Sequence, residues 1–400
     1  MPSDPTSGAR PLPDRPSLRH LKLQARDLLK SGGAESLTAA QFAIARSYGF
    51  SSWPALKAHV ESLQEAGRLK QAIDCNDLAA VIAMMTRNPA LHRAPLGYGK
   101  DGPLTWVAEC RVPWEPPGRE RLAMATWMIE HGSDVHQGDD GPLGRAALND
   151  DRIAMMELLV AHGADVNAVW RGFSPIIFSP CEALAPRSLQ WLLDHGANPN
   201  CADPARGIRQ SALDYVIATY ARSRLHACID ILLSAGATTK YDEPAFLDLL
   251  RGRIDALADR LDRDSSLVDR RFPALDVGTT AGRRLTLAGA TLLHVAAEYG
   301  IADGARLLLD RGADVDARAD VDESGVGGQT PLFHAASQYD DHGFDVAQVL
   351  LERGANLTIR VRLPGDYERP DDFVEATALE YARLFPGGPS RTVTLLQQAG

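Results

Sequence analysis

The chain has 400 residues, and its apolar content of 45% is ample for a folded core. A net charge of −10 argues against a polyphosphate partner, and five scattered cysteines without a close pair point to a reduced protein without a disulfide framework. No apolar run approaches the roughly 18 residues of a membrane span, and the first residues lack a signal-peptide core, so a cytoplasmic location is expected.

Residues 1–16 carry five prolines and read as a disordered lead. Residues 17–67 predict a small helical unit. Ser17 stands ahead of Leu18, Leu21, Ala25, Leu28 and Leu29 at helical spacing, and a second helix over Thr38 to Tyr48 ends at Gly49. A third opens at Ser51-Ser52-Trp53-Pro54 and is expected to stop at Gly67. Such a unit can cover the apolar face of whatever follows. Next comes Asp77-Leu78, Val81, Met85 and Asn88-Pro89, echoed 176 residues later by Arg253-Ile254, Leu257, Leu261 and Asp264-Ser265.

From there a repeated pattern takes over. Its clearest copy, Thr291 to Asp316, reads as two short helices, the second carrying Leu307-Leu308-Leu309 and stopping at Gly312. Neither helix is long enough to be stable alone, so the unit must bury its face on copies of itself. Closing glycines recur at Gly132, Gly163, Gly196, Gly236, Gly312, Gly354 and Gly400. Four residues before each stands an apolar side chain: Met128, Leu159, Leu192, Leu232, Leu308, Leu350 and Leu396. Three residues before each, six are apolar (Ile129 to Leu351) and the seventh is Gln397, which predicts a polar cap at residues 377–400.

Thr291-Leu292-Leu293-His294 with Ala296-Ala297, Thr330-Pro331-Leu332-Phe333-His334-Ala335-Ala336, and Gly163-Ala164-Asp165-Val166-Asn167 resemble the ankyrin repeat. The string around Ser47-Tyr48-Gly49-Phe50 resembles a short helical leader found ahead of such repeats in bacterial proteins. The resemblance implies an all-α solenoid of about nine helix pairs with hairpin loops, and a concave binding face. The expected organisation is a leader at 17–67, a first sub-array at 69–240 and a second at 243–400, with a hinge near Lys240 to Pro244. Long linkers at 272–290, 317–329 and 359–376 depart from the family's spacing.

Little in the sequence suggests catalysis. His131, His162 and His195 form a column ahead of the glycines, but repeats 8–10 Å apart cannot share a zinc with bonds near 2.1 Å, whereas a helix-terminal histidine suits the last free carbonyls. His294 occupies the position at which the family bonds between repeats. The acidic string Asp314, Asp316, Asp320, Asp322, Glu323 lacks the alternation of an EF-hand and reads as a solvated hairpin. No phosphate loop, nucleophile elbow or Cys-x-x-Cys pair appears. Residues 1–70 carry +4, leaving −14 for the repeats. No cofactor or metal is expected.

The projecting side offers the remaining candidates. Trp170, Arg171 and Phe173 fall on one predicted hairpin tip, Arg206 and Arg209 on the next, and Tyr299 and Tyr339 at first-helix ends; aromatics and arginine are enriched at binding hot spots. Trp127 and Trp191 fall in the stacking register, and Trp114 sits in an insertion. The expected function is non-catalytic binding of another protein by a monomer. The rival reading is an enzyme or small-molecule binder built into the long linkers or the junction between sub-arrays.

Overall fold

Helix ends fall where the capping chemistry predicts them. Gly132, Gly163, Gly196, Gly236, Gly312 and Gly354 all take φ between +78° and +113°, the left-handed region open to a residue without a Cβ. The N–H of the following residue then turns back onto the carbonyl of the apolar residue four before the glycine. Examples are Ala164 to Leu159 at 3.1 Å, Ala197 to Leu192 at 2.9 Å and Ala313 to Leu308 at 3.0 Å. One column of residues thus supplies both the buried side chain and the acceptor that closes the helix.

The structure is a computed structural model that describes residues 9–13, 16–96, 99–109, 118–219, 222–272, 275, 277, 279–280, 283–365, 372–385 and 390–400. Trp114, Cys110, residues 1–8 of the expected lead and parts of the 272–290 and 359–376 linkers lie outside these. The chain divides into two units, one of Met1–Ala146 with Ala154–Ala164, the other of Ala147–Ile153 with Asp165–Gly400. The sequence-based boundary near 240–244 falls inside the second unit.

In the first unit α1 (Leu18–Lys30), α2 (Leu37–Ser47) and α3 (Trp53–Asp74) enclose a cluster of Leu21, Ala45, Tyr48, Leu56 and Val60. Helix α3 does not stop at Gly67. It runs on to Asp74 and so serves as both the last helix of the leader and the first of the following pair with α4 (Leu78–Arg87). Gly67 has no neighbour near its absent Cβ and sits in ordinary helical backbone, where its cost is about 1 kcal/mol and terminates nothing. Helices α5 (Pro103–Glu109) and α6 (Arg119–Glu130) follow, then α7 (Gln137–Ala146) and α8 (Ile153–Ala161).

The second unit pairs α9 (Phe178–Ala183) with α10 (Pro186–Asp194), α11 (Ala212–Ala218) with α12 (Leu225–Ser234), and α13 (Pro244–Leu250) with α14 (Ile254–Arg263). It continues with α15 (Leu292–Glu298) and α16 (Ala302–Asp310), α17 (Pro331–Ala336) and α18 (Phe344–Glu352), α19 (Ala378–Ala382) and α20 (Arg391–Ala399). From α13 on, each first helix packs on the next first helix and each second helix on the next second. The core column is buried at every copy, its neighbours three residues before the glycines are half-buried, and Gln397 is exposed.

The three long linkers are hairpins where described. β3 (Thr279–Thr280) pairs with β4 (Arg283–Arg284), β5 (Val361–Pro364) with β6 (Phe373–Ala376), and Val321 bridges Gly327. They lengthen the projecting loops and leave the helix stack in phase. The echo between 77–91 and 253–267 is also real. Asn88 and Asp264 take the same backbone shape (φ −133° and −139°, ψ 88° and 87°), and each side chain caps a short 3₁₀ turn.

Candidate functional site

Among the described residues of the second unit, the hairpin at 169–175 carries the most exposed aromatic side chain, Phe173. Here β1 (Val169–Trp170) and β2 (Ser174–Pro175) pair antiparallel, and Gly172 and Phe173 return their N–H groups to Val169 and Trp170 at 3.0 and 3.2 Å. The turn places Arg171 at φ +52°, a conformation that asparagine, aspartate or glycine adopts more readily. Phe173 is 56% exposed, and its ring lies 5.7 Å from that of Trp170, with the Arg171 guanidinium 4.7 Å over the indole. Trp170, Arg171 and Phe173 are thus brought together, and they pack within their own hairpin.

The next hairpin, at 203–208, presents Arg206 and Arg209, both exposed. A cleft of about 510 Å³ lies between the two hairpins, lined by Val169 and Pro175 on one side and Asp203, Arg206 and Ile208 on the other. Side chains alternate along a strand. Val169 lines the cleft, so Trp170, next along β1, belongs to the opposite face. Asparagines in the cleft are spent on structure: Asn167 donates to Gly196 O at 2.9 Å and accepts from Asn198 N at 2.8 Å, and Asn200 does the same with Gly236 and Thr238. The cleft offers little convergent chemistry for a small molecule.

The two tyrosines separate. Tyr339 is 51% exposed, in the turn after α17. Tyr299 corrects the surface expectation. It is only 5% exposed, and its hydroxyl donates at 2.7 Å to Ile217 O in the last turn of α11. Burial raises its phenol above the ordinary range. It has no surface to offer a partner.

Around Tyr299 lies a buried ionic network that the sequence did not reveal. Arg222 stands 4.5 Å over the Tyr299 ring and holds Glu298 at 3.0 Å; the same carboxylate takes His334 Nδ1 at 2.7 Å. All three side chains are almost wholly buried. A glutamate and a histidine at helix ends carry no periodic signature, and Arg222 lies 76 residues from its partner.

Two of the three column histidines take the structural role their position predicts, while the exposed His162 makes no side-chain hydrogen bond with a described residue. His131 and His195 bond the carbonyls of Trp127 and Trp191 at 2.8 and 2.7 Å and stack on those indoles. His294 accepts from Thr291 N at 3.2 Å and donates through Nε2 to Gln329 O at 3.1 Å, linking consecutive first helices. In the acidic string, Asp322 accepts from Ser324 and Val326 N–H groups, and Asp316 from Asn356 N. Among the described residues no group of three His, Cys, Asp or Glu is placed to hold a metal ion. Burial pushes the Cys201 thiol up to about 11 and that of Cys228 up to about 12, away from a nucleophile's range. No helix of the described residues is long and apolar enough to cross a membrane.

Comparison with known proteins finds a family match inside the second unit. Residues 270–361 match the family model described as ankyrin repeats (three copies). A B-cell lymphoma 3 protein homolog of Mus musculus is 38% identical over 73 residues, 18% of this chain and 14% of that protein. The match thus spans about a seventh of that relative's length. The crystal structure of the human ASB11 ankyrin repeat domain is 24% identical, with coverage of 65% of this chain and 97% of that one and a TM-score of 0.32. Ankyrin repeats generally mediate protein–protein interaction, and the family is typically non-catalytic. Residues 270–361 of this chain are thus identified as ankyrin repeats.

Proposed function

We propose that this protein binds another protein through its projecting hairpins, with Trp170, Arg171 and Phe173 as the anchor and Arg206, Arg209 and Tyr339 as flanking contacts. The observation that carries the reading is the tip at 170–173. A ring 56% exposed to water, a second ring beside it and a stacked guanidinium sit where the fold has no core to fill. Aromatic and arginine side chains are the groups enriched among the few residues that dominate interface energetics. The left-handed Arg171 adds support, since a residue held in a costly conformation at an exposed turn is more readily explained by use than by packing.

The test is capture in the native cell with a photo-crosslinking phenylalanine analogue at Phe173. The double variant Trp170→Ala, Arg171→Ala should weaken binding of the captured protein by more than about 1 kcal/mol while the melting temperature stays put. Early melting of the double variant would show that these side chains pack the fold, and the reading would fail. It would fail equally if nothing crosslinks at Phe173.

A further inference from the structure

Helix α1 stands apart from the rest of this acidic chain in its charge. Residues Leu18–Lys30 carry Arg19, Lys22, Arg26 and Lys30 against Asp27 alone, a balance of +3. No other described α-helix carries four basic residues or a balance above +1. At 3.6 residues per turn, Arg19, Lys22, Leu23, Arg26 and Lys30 fall within about 100° of arc, and Asp27 falls outside it. They make one row about 16 Å long.

The row is open to solvent. All five of its residues are exposed, Leu23 by 44%, and none of the four cations forms an ion pair or side-chain hydrogen bond with a described residue. The other side of the helix is committed to the core, where Leu21 and Ala25 are buried. Single exposed arginines without an ion pair to a described residue, such as Arg187 and Arg383, occur elsewhere. A row of four does not. Apolar exposure is concentrated in the same segment. Leu23, Leu37, Phe42 and Leu63 are four of the nine large apolar side chains exposed among the described residues, and all four lie within residues 17–67.

From this combination we infer that the outer face of α1 docks on an anionic lipid surface, with its four cations among the headgroups and Leu23 at the acyl boundary. A basic helix face that also exposes an apolar side chain matches such an interface, which offers negative charge and hydrocarbon together. Nucleic acid would satisfy the cations but leave Leu23 unused, and α1 has no Phe, Tyr or Trp on which bases could stack. The acidic remainder of the chain does not prevent the contact, because at physiological salt charges beyond about 8 Å are largely screened. The site uses none of the hairpin residues, so its failure leaves their proposed role untouched.

The test is co-sedimentation of the full chain with vesicles of phosphatidylcholine alone or with about 30% phosphatidylserine, at about 100 mM NaCl. The phosphatidylserine vesicles should bind at least about tenfold more tightly, and about 500 mM NaCl should release the protein. Lys22→Glu with Arg26→Glu should abolish this binding. Lys22→Gln with Arg26→Gln, which removes charge without adding repulsion along the helix, should weaken it in the same direction. Leu23→Ser should weaken it about threefold. Arg187→Glu with Arg383→Glu makes the same change in net charge at exposed sites of the second unit and should bind like the parent. Equal sedimentation with both vesicle types overturns the inference. So does indifference to the Lys22 and Arg26 variants or to Leu23→Ser, or an equal loss in the Arg187 and Arg383 variant. Soluble polyglutamate and a single-stranded oligonucleotide, matched in charge to the phosphatidylserine, should leave the bound protein in place. Displacement by either overturns the lipid assignment in favour of an acidic protein or a nucleic acid.

Discussion

His294 shows how a single buried side chain ties this fold to pH. It is wholly buried between Thr291 N and Gln329 O, and burial, aided by the neighbouring His334, pushes its pKa down to about 3. An unfolded chain takes up that proton near pH 6.5, whereas the folded one refuses it until about pH 3. Between those values the unfolded state binds more protons, so this contribution is full above pH 6.5 and is lost as the pH falls. At pH 5 the loss is about 2 kcal/mol relative to neutral pH. His294→Gln keeps a side chain able to reach back to the Thr291 amide but does not titrate. Urea midpoints at pH 7 and pH 5 should therefore differ less in the variant than in the parent. An unchanged difference would place the pH sensitivity elsewhere.

At the scale of the helix pair, what was legible was whatever repeats locally. The glycine stops, the buried column from Met128 to Leu396 and the His131 and His195 carbonyl bonds each follow from a few neighbouring residues. The passage of α3 through Gly67 was not legible, because a glycine marks a helix end only when the chain needs left-handed backbone there, and here it does not. The contacts that span the α13 pair, beside the hinge expected near Lys240 to Pro244, were not legible either. Tyr299 and Arg222 reach across the intervening α13 pair, Tyr299 to Ile217 O and Arg222 to Glu298, and contacts between residues 76 to 82 positions apart leave no local pattern. The degenerate pair is thus bracketed by a buried ion pair, and deleting one partner of such a pair costs about 3–5 kcal/mol because the other charge is stranded. Limited proteolysis should spare residues 240–290 in the parent and cut there in Arg222→Ala. Cutting in the parent at the same rate would favour the hinge expected near Lys240 to Pro244.

At the scale of the whole molecule, a stack of helix pairs has no single centre, and each pair depends on its neighbour for cover. Helices α19 and α20 provide that cover for α17 and α18: Tyr381 packs 6.4 Å from the Phe333 ring, and Phe333 and Leu350 are almost wholly buried. The placement is fixed by Asp341, whose carboxylate accepts from Ser390 Oγ at 2.6 Å and from the first N–H groups of α20 at 2.8 and 3.1 Å. Removing residues 377–400 takes away these contacts and bares Phe333, Leu350 and half-buried Leu351 as one apolar surface. A contiguous patch of that kind drives association. The truncated protein should retain most of its helical circular dichroism yet sediment as dimers or larger species. Adding Leu351→Lys to the truncation should reduce that association without touching the contacts inside the remaining pairs. A truncated chain that stays monomeric at the parent's concentrations would mean that α17 and α18 need no cover, and that stacking contributes less here than the burial of their faces implies.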